Sequence, residues 1–118
     1  MTSGALEPVL GRKKSTMEII GHRGSAGTAP ENTLLGLETA LAAGVPWLEI
    51  DVRWAADELF VIHDATVDRT TDGSGSIYEM SASAIGKLDA GAGQQIPNLA
   101  QVLALVAGKA ALNVDAYA

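Results

Sequence analysis

Apolar and polar positions fall in short blocks along this chain, and the period of the blocks changes. Residues 18–22 form a brief apolar run that ends in a polar cluster, which predicts a first strand. Arg23-Gly24-Ser25-Ala26-Gly27 reads as a glycine-rich loop. Pro30-Glu31-Asn32-Thr33 opens a helix, with proline and an acid where the N-terminal dipole favours them. Leu34, Leu37, Ala40 and Leu41 form its stripe, and Gly44 stops it. From Trp47 to Arg53 the period drops to two: Leu48, Ile50 and Val52 take one side, Glu49 and Asp51 the other.

Asp57-Glu58 predicts a turn into a third strand, residues 59–62, that terminates at His63-Asp64. Residues 65–78 are rich in Thr, Asp, Gly and Ser, a long polar loop of the kind that is usually functional inside a compact domain. A short helix is expected over residues 81–87. Leu99, Val102, Leu103, Leu105 and Val106 mark a further amphipathic helix closed by Gly108, and residues 110–116 a fourth strand. Strands alternating with helices imply an α/β fold of parallel βα units. Each polar cluster lies within its strand or at its carboxyl end, where such folds place their chemistry.

With 118 residues the chain has room for one domain. Residues 1–16 lack periodicity and are expected to be a flexible leader or expression remnant, leaving 17–118 as the domain, with Met17 a plausible natural start. Hydrophobic residues make up 47% and charged residues 19%, a globular composition. The net charge of −6 argues against a nucleic-acid partner, because phosphate backbones are held by clustered Lys and Arg. The absence of cysteine excludes disulfides and thiolate metal sites. No apolar run has transmembrane length, and the basic Arg12-Lys13-Lys14 is not followed by a signal-peptide core, so a cytoplasmic protein is expected.

The chemistry gathers on the strand ends. Glu49 and Asp51 project together, and two adjacent carboxylates repel unless a proton or cation lies between them. A divalent cation with oxygen ligands, Mg²⁺ or Ca²⁺, is the expected resident, and Asp115 adds a third carboxylate on the same rim. The only two histidines, His22 and His63, each follow an apolar strand run and supply an acid and a base near neutral pH. Arg23 adds a fixed charge suited to a phosphoryl oxygen. Together these groups fit cleavage of a phosphate ester. Gly73-Ser74-Gly75 follows no strand and lacks a Walker lysine, so it reads as loop flexibility. Trp47 and Trp54 are expected in the core or at its rim, and Asp64, Arg69 and Asp72 as a charge network ordering the loop.

Gly21-His22-Arg23-Gly24, Pro30-Glu31-Asn32-Thr33, Glu49-x-Asp51, and His63-Asp64 followed by Arg69-Thr70-Thr71 resemble the glycerophosphodiester phosphodiesterase family. Leu88-Asp89-Ala90-Gly91 and Ile96-Pro97-Asn98-Leu99 are similar to its later segments. Sphingomyelinase D is more distantly similar. The resemblance implies a TIM (β/α)₈ barrel and metal-dependent hydrolysis of a small-molecule glycerophosphodiester to an alcohol and glycerol 3-phosphate. It implies His22 and His63 as the acid–base pair, Glu49 and Asp51 as metal ligands, and Arg23 as a phosphate contact. Where the family often carries Glu-x-Lys, this chain has Asp115 and Tyr117.

A full barrel takes about 250 residues, so the expected architecture is its front half, about four strands. Exposed edges then predict self-association into a homo-oligomer. A non-catalytic half-barrel that folds by self-association is the alternative to the enzyme.

Overall fold

The structure, a computed structural model, describes the backbone of residues 20–22 and all of residues 29–117. The expected leader, residues 1–16, and Arg23 lie outside the described residues, as does the side chain of His22.

In chain order the elements are β1 (Ile20–His22), α1 (Leu34–Ala42), β2 (Trp47–Ala55), β3 (Glu58–Val61), a 3₁₀ turn (Ile77–Glu79), α2 (Ala82–Gly86), α3 (Leu99–Val106) and β4 (Ala111–Tyr117). β2 is the hub of the sheet. It pairs in parallel with β1 through Trp47 to Glu49 and with β4 through Trp47 to Arg53. β3 pairs with its other half, Val52 to Ala55, in the antiparallel sense. Residues of β2 that bond to both β1 and β4, or to both β3 and β4, have a partner on each side. β4 therefore takes one edge of β2, and β1 and β3 share the other.

The third strand is thus a hairpin return and not a βα unit. Ala55 pairs with Glu58, so the connection is the two-residue turn Ala56-Asp57, one position earlier than the sequence suggested. Both turn residues have positive φ, +49° and +62°, the geometry of a type I′ turn whose twist matches that of the strands. The parallel strands β1, β2 and β4 with their helical crossovers are the opening units of a (β/α)₈ barrel, and the hairpin extends β2 beyond them.

Period-two patterning decides the two faces of β2. Leu48, Ile50 and Val52 pack with Leu37 and Ala40 of α1 and with Val102 and Val106 of α3. A second cluster, including Phe60, Ile62, Val67, Ile77, Ile85 and Ile96, anchors the long loop. α1 begins at Leu34, only after the Pro30–Thr33 segment expected to open it, because Thr33 is the N-cap: its Oγ1 accepts from Gly36 N at 3.0 Å. α3 starts with a reciprocal capping box between Asn98 and Gln101. Val61 N donates to Pro97 O at 2.8 Å, tying that cap to β3. Trp54 stands at the rim, 57% exposed.

Candidate active site

On the face of β2 opposite the helices, Glu49, Asp51 and Arg53 follow one another at every second position. The parallel register sets Asp51 directly beside Asp115 and Glu49 beside Asn113, whose Nδ2 is 3.5 Å from Glu49 Oε2. The three predicted metal carboxylates therefore share one face of adjacent strands. Among the described residues, no three His, Cys, Asp or Glu side chains are grouped closely enough to hold a metal ion. β1 sets the His22 backbone opposite Glu49, at the same end of the sheet.

Asp51 is buried, 3% exposed, and both of its oxygens accept hydrogen bonds. Asn32 Nδ2 donates to Oδ2 at 3.1 Å, and Tyr117 Oη donates to Oδ1 at 3.2 Å. Asn32 is as buried as Asp51 and sits at φ +54°, a left-handed conformation that asparagine tolerates better than most residues. Partial desolvation, and then the negative charge of Asp51, push the Tyr117 phenol above its ordinary range, so it remains a donor.

Tyr117 also meets His63 edge-on, with ring centroids 5.8 Å apart. The Arg53 guanidinium lies over the Tyr117 ring at 4.6 Å from its centroid. Arg53 donates to His63 O through Nε at 3.0 Å and Nη2 at 2.6 Å, and to Tyr78 Oη at 2.9 Å. Tyr117 thus links Asp51, His63 and Arg53 as a neutral hydrogen-bonding ring.

His63 follows β3 at the mouth of the long loop. Its Nδ1 is 2.7 Å from Asp64 Oδ1. Asp64 is gripped through both oxygens by Arg69, with Nε to Oδ2 at 2.8 Å and Nη2 to Oδ1 at 2.9 Å. The remaining side of the same guanidinium forks onto Glu31, with both bonds at 2.9 Å. Arg69, and then His63, hold the Asp64 carboxyl well below the usual carboxylate range, and the two acids raise the guanidinium further above its own.

The loop-ordering network foreseen for Asp64 and Arg69 is therefore present. Asp72 stands apart from it, accepting from Asp89 N at 2.9 Å. Gly73 and Gly75 are not a phosphate cradle, because their amides donate to Thr71 Oγ1 and Asp68 Oδ1. A Cβ at Gly73 would press on the Leu88 side chain. Glu31 and Asn32 were legible in the sequence as residues opening a helix and as part of a motif resembling the family, but with no role at the site. Their partners lie 38 and 19 positions away, and nothing local signals the pairing.

The match to known proteins follows this geometry. Residues 22–116 match the model of the glycerophosphoryl diester phosphodiesterase family. The chain belongs to that family. A glycerophosphodiester phosphodiesterase of Caldanaerobacter subterraneus subsp. tengcongensis is 41% identical over 99 residues, 77% of this chain and 41% of its own length. The crystal structure of a glycerophosphodiester phosphodiesterase from Agrobacterium tumefaciens matches with a TM-score of 0.80 and 40% identity, over 84% of this chain and 46% of that one. A phosphodiesterase of Oleispira antarctica, solved in complex with the product sn-glycerol-3-phosphate, matches with a TM-score of 0.80 and 37% identity, over 83% and 43% of the respective chains. This glycerophosphodiester phosphodiesterase family chain spans about two-fifths of the length of the first curated relatives it matches, 41% and 39%. Among its described residues, no helix is long and apolar enough to cross a membrane.

Proposed function

We propose that this chain carries the acid–base and carboxylate half of a metal-dependent phosphodiesterase that hydrolyses glycerophosphodiesters to an alcohol and glycerol 3-phosphate. The observation that carries the reading is the meeting, on one sheet face, of buried Asp51 with its register partner Asp115, while Tyr117 joins Asp51 to the His63 ring. Glu49, Asp51 and Asp115 would hold a divalent cation. An all-carboxylate donor set fits a hard ion such as Mg²⁺ or Ca²⁺. When bound, that ion supplies positive charge to the phosphoryl oxygens.

The chain's own residues do the rest. His22 and His63 exchange protons with the nucleophile and the departing alkoxide in one order or the other. The nucleophile is water or a hydroxyl of the substrate. Arg23 contributes a second positive charge to the phosphate. Asn32 and Tyr117 keep the Asp51 carboxylate in place.

The test is hydrolysis of glycerophosphocholine by the purified chain with added Mg²⁺ or Ca²⁺. Turnover that chelation stops and His22→Ala or His63→Ala abolishes supports the proposal. Metal binding without turnover in the unsubstituted chain rejects it in favour of a non-catalytic half-barrel that folds by self-association. One observation favours that second reading: β4 is exposed along most of its length, with Val114 39% exposed. Sedimentation that finds a well-folded monomer at micromolar concentration counts against self-association.

A further inference from the structure

Four side chains from two separate segments form a continuous chain of short contacts ending on the His63 ring. Glu31 belongs to the turn before α1, and Asp64 and Arg69 to the loop after β3. Arg69 spends its fork on two carboxylates at once, four bonds between 2.8 and 2.9 Å. A guanidinium so held is fixed in plane, and it fixes Asp64 in turn.

Asp64 accepts from Arg69 through both oxygens, which leaves neither carrying a proton. An ionised carboxylate only accepts hydrogen bonds. The 2.7 Å contact with His63 Nδ1 therefore requires the proton to lie on Nδ1. In the neutral ring Nε2 is then the unprotonated nitrogen. The backbone end of His63 is fixed as well, by the two donors from Arg53 to its carbonyl.

We infer that Asp64, clamped by Arg69 and Glu31, is the positioning residue of His63: it sets the imidazole in its Nδ1–H tautomer and leaves Nε2 to exchange the proton with substrate. The catalytic part of this statement rests on the hydrolytic reading above, but the tautomer does not. The Glu31–Arg69 fork makes the turn before α1 part of the device, although Glu31 lies far from His63 in sequence.

The test reads the tautomer directly. In the full chain labelled with ¹⁵N in the imidazole rings, the H22Q variant leaves His63 as the only histidine. At a pH well above the ordinary imidazole pKa of about 6.5, the Nδ1 resonance is expected at the protonated position and Nε2 at the unprotonated one. D64A is expected to return the ring to the Nε2–H form that a free imidazole prefers, and R69Q to give a mixture. An Nε2–H ring in H22Q alone overturns the inference. So does an unchanged tautomer in a folded D64A or R69Q on the H22Q background.

In the chain that retains His22, D64A should lower kcat on glycerophosphocholine on the order of 10²-fold, with KM within about twofold. A D64A loss confined to KM overturns the positioning role. If the tautomer is as stated and neither the unsubstituted chain nor any variant turns over, the clamp stands and the hydrolytic reading falls.

Discussion

Asn32 holds Asp51 from a strained backbone. Its side-chain amide donates to Asp51 Oδ2 at 3.1 Å while its own φ is +54°, and both residues are 3% exposed. Two separable effects are therefore combined at one position. Asn32→Ala removes the bond to a buried carboxylate and leaves a Cβ residue in the left-handed region, for an expected loss of about 3 kcal/mol. Asn32→Gly loses the side-chain bonds to Asp51 without the strain and should cost about 1 kcal/mol less than the alanine variant. Urea unfolding followed by circular dichroism measures both. Equal losses would mean that the backbone of Asn32 carries no strain.

The Asp64 clamp gives an acid limb to stability. Its carboxyl is held below the ordinary range when folded, mainly by Arg69 and then by His63. As pH falls below about 4, the unfolded chain takes up this proton before the folded one. The unfolded state then binds more protons, so stability falls with falling pH, and the contribution is complete above that range. Asp64→Asn should flatten the dependence of the urea midpoint on pH between about 4 and 2.5 relative to the unsubstituted chain. Parallel curves for the two proteins would contradict it.

The hairpin turn is built from the wrong residues for its geometry. Ala56 and Asp57 occupy φ of +49° and +62°, where type I′ turns favour Asn-Gly. The double variant A56N/D57G is expected to stabilise the chain by about 1 kcal/mol, raising Tm by several degrees. The site residues are untouched, so whatever glycerophosphocholine turnover the unsubstituted chain shows should be unchanged in the double variant. A lowered Tm would mean that the Ala56 or Asp57 side chain contributes more than the strain costs.

Tyr117 joins Asp51, His63 and Arg53 by three different contacts, which substitution can separate. Tyr117→Phe keeps the ring against His63 and under Arg53 but drops the bond to Asp51, so it is expected to lower stability. Tyr117→Ala removes the ring contacts with His63 and Arg53 as well and is expected to lower stability further than Tyr117→Phe. Equal stabilities of the two variants in urea would show that the ring contacts add nothing.

By itself, the sequence determined the elements and their faces. Period-two alternation in β2 separated Leu48, Ile50 and Val52 from Glu49 and Asp51, and the helical stripes of α1 and α3 matched what packs on the apolar side except at Leu103, which is exposed. Ordered motifs from His22 to Asp115 carried the family. These features are local, because a residue's face follows from its spacing along one element.

Only the tertiary structure decided what those side chains meet. It made the third strand an antiparallel hairpin, because strand direction depends on the partner edge and not on composition. It brought Asn32 onto Asp51, Tyr117 between Asp51 and His63, and Glu31 onto Arg69. Each of these pairs spans a closed loop of chain, and only the packing of α1 and the long loop around the sheet brings its members within hydrogen-bonding reach.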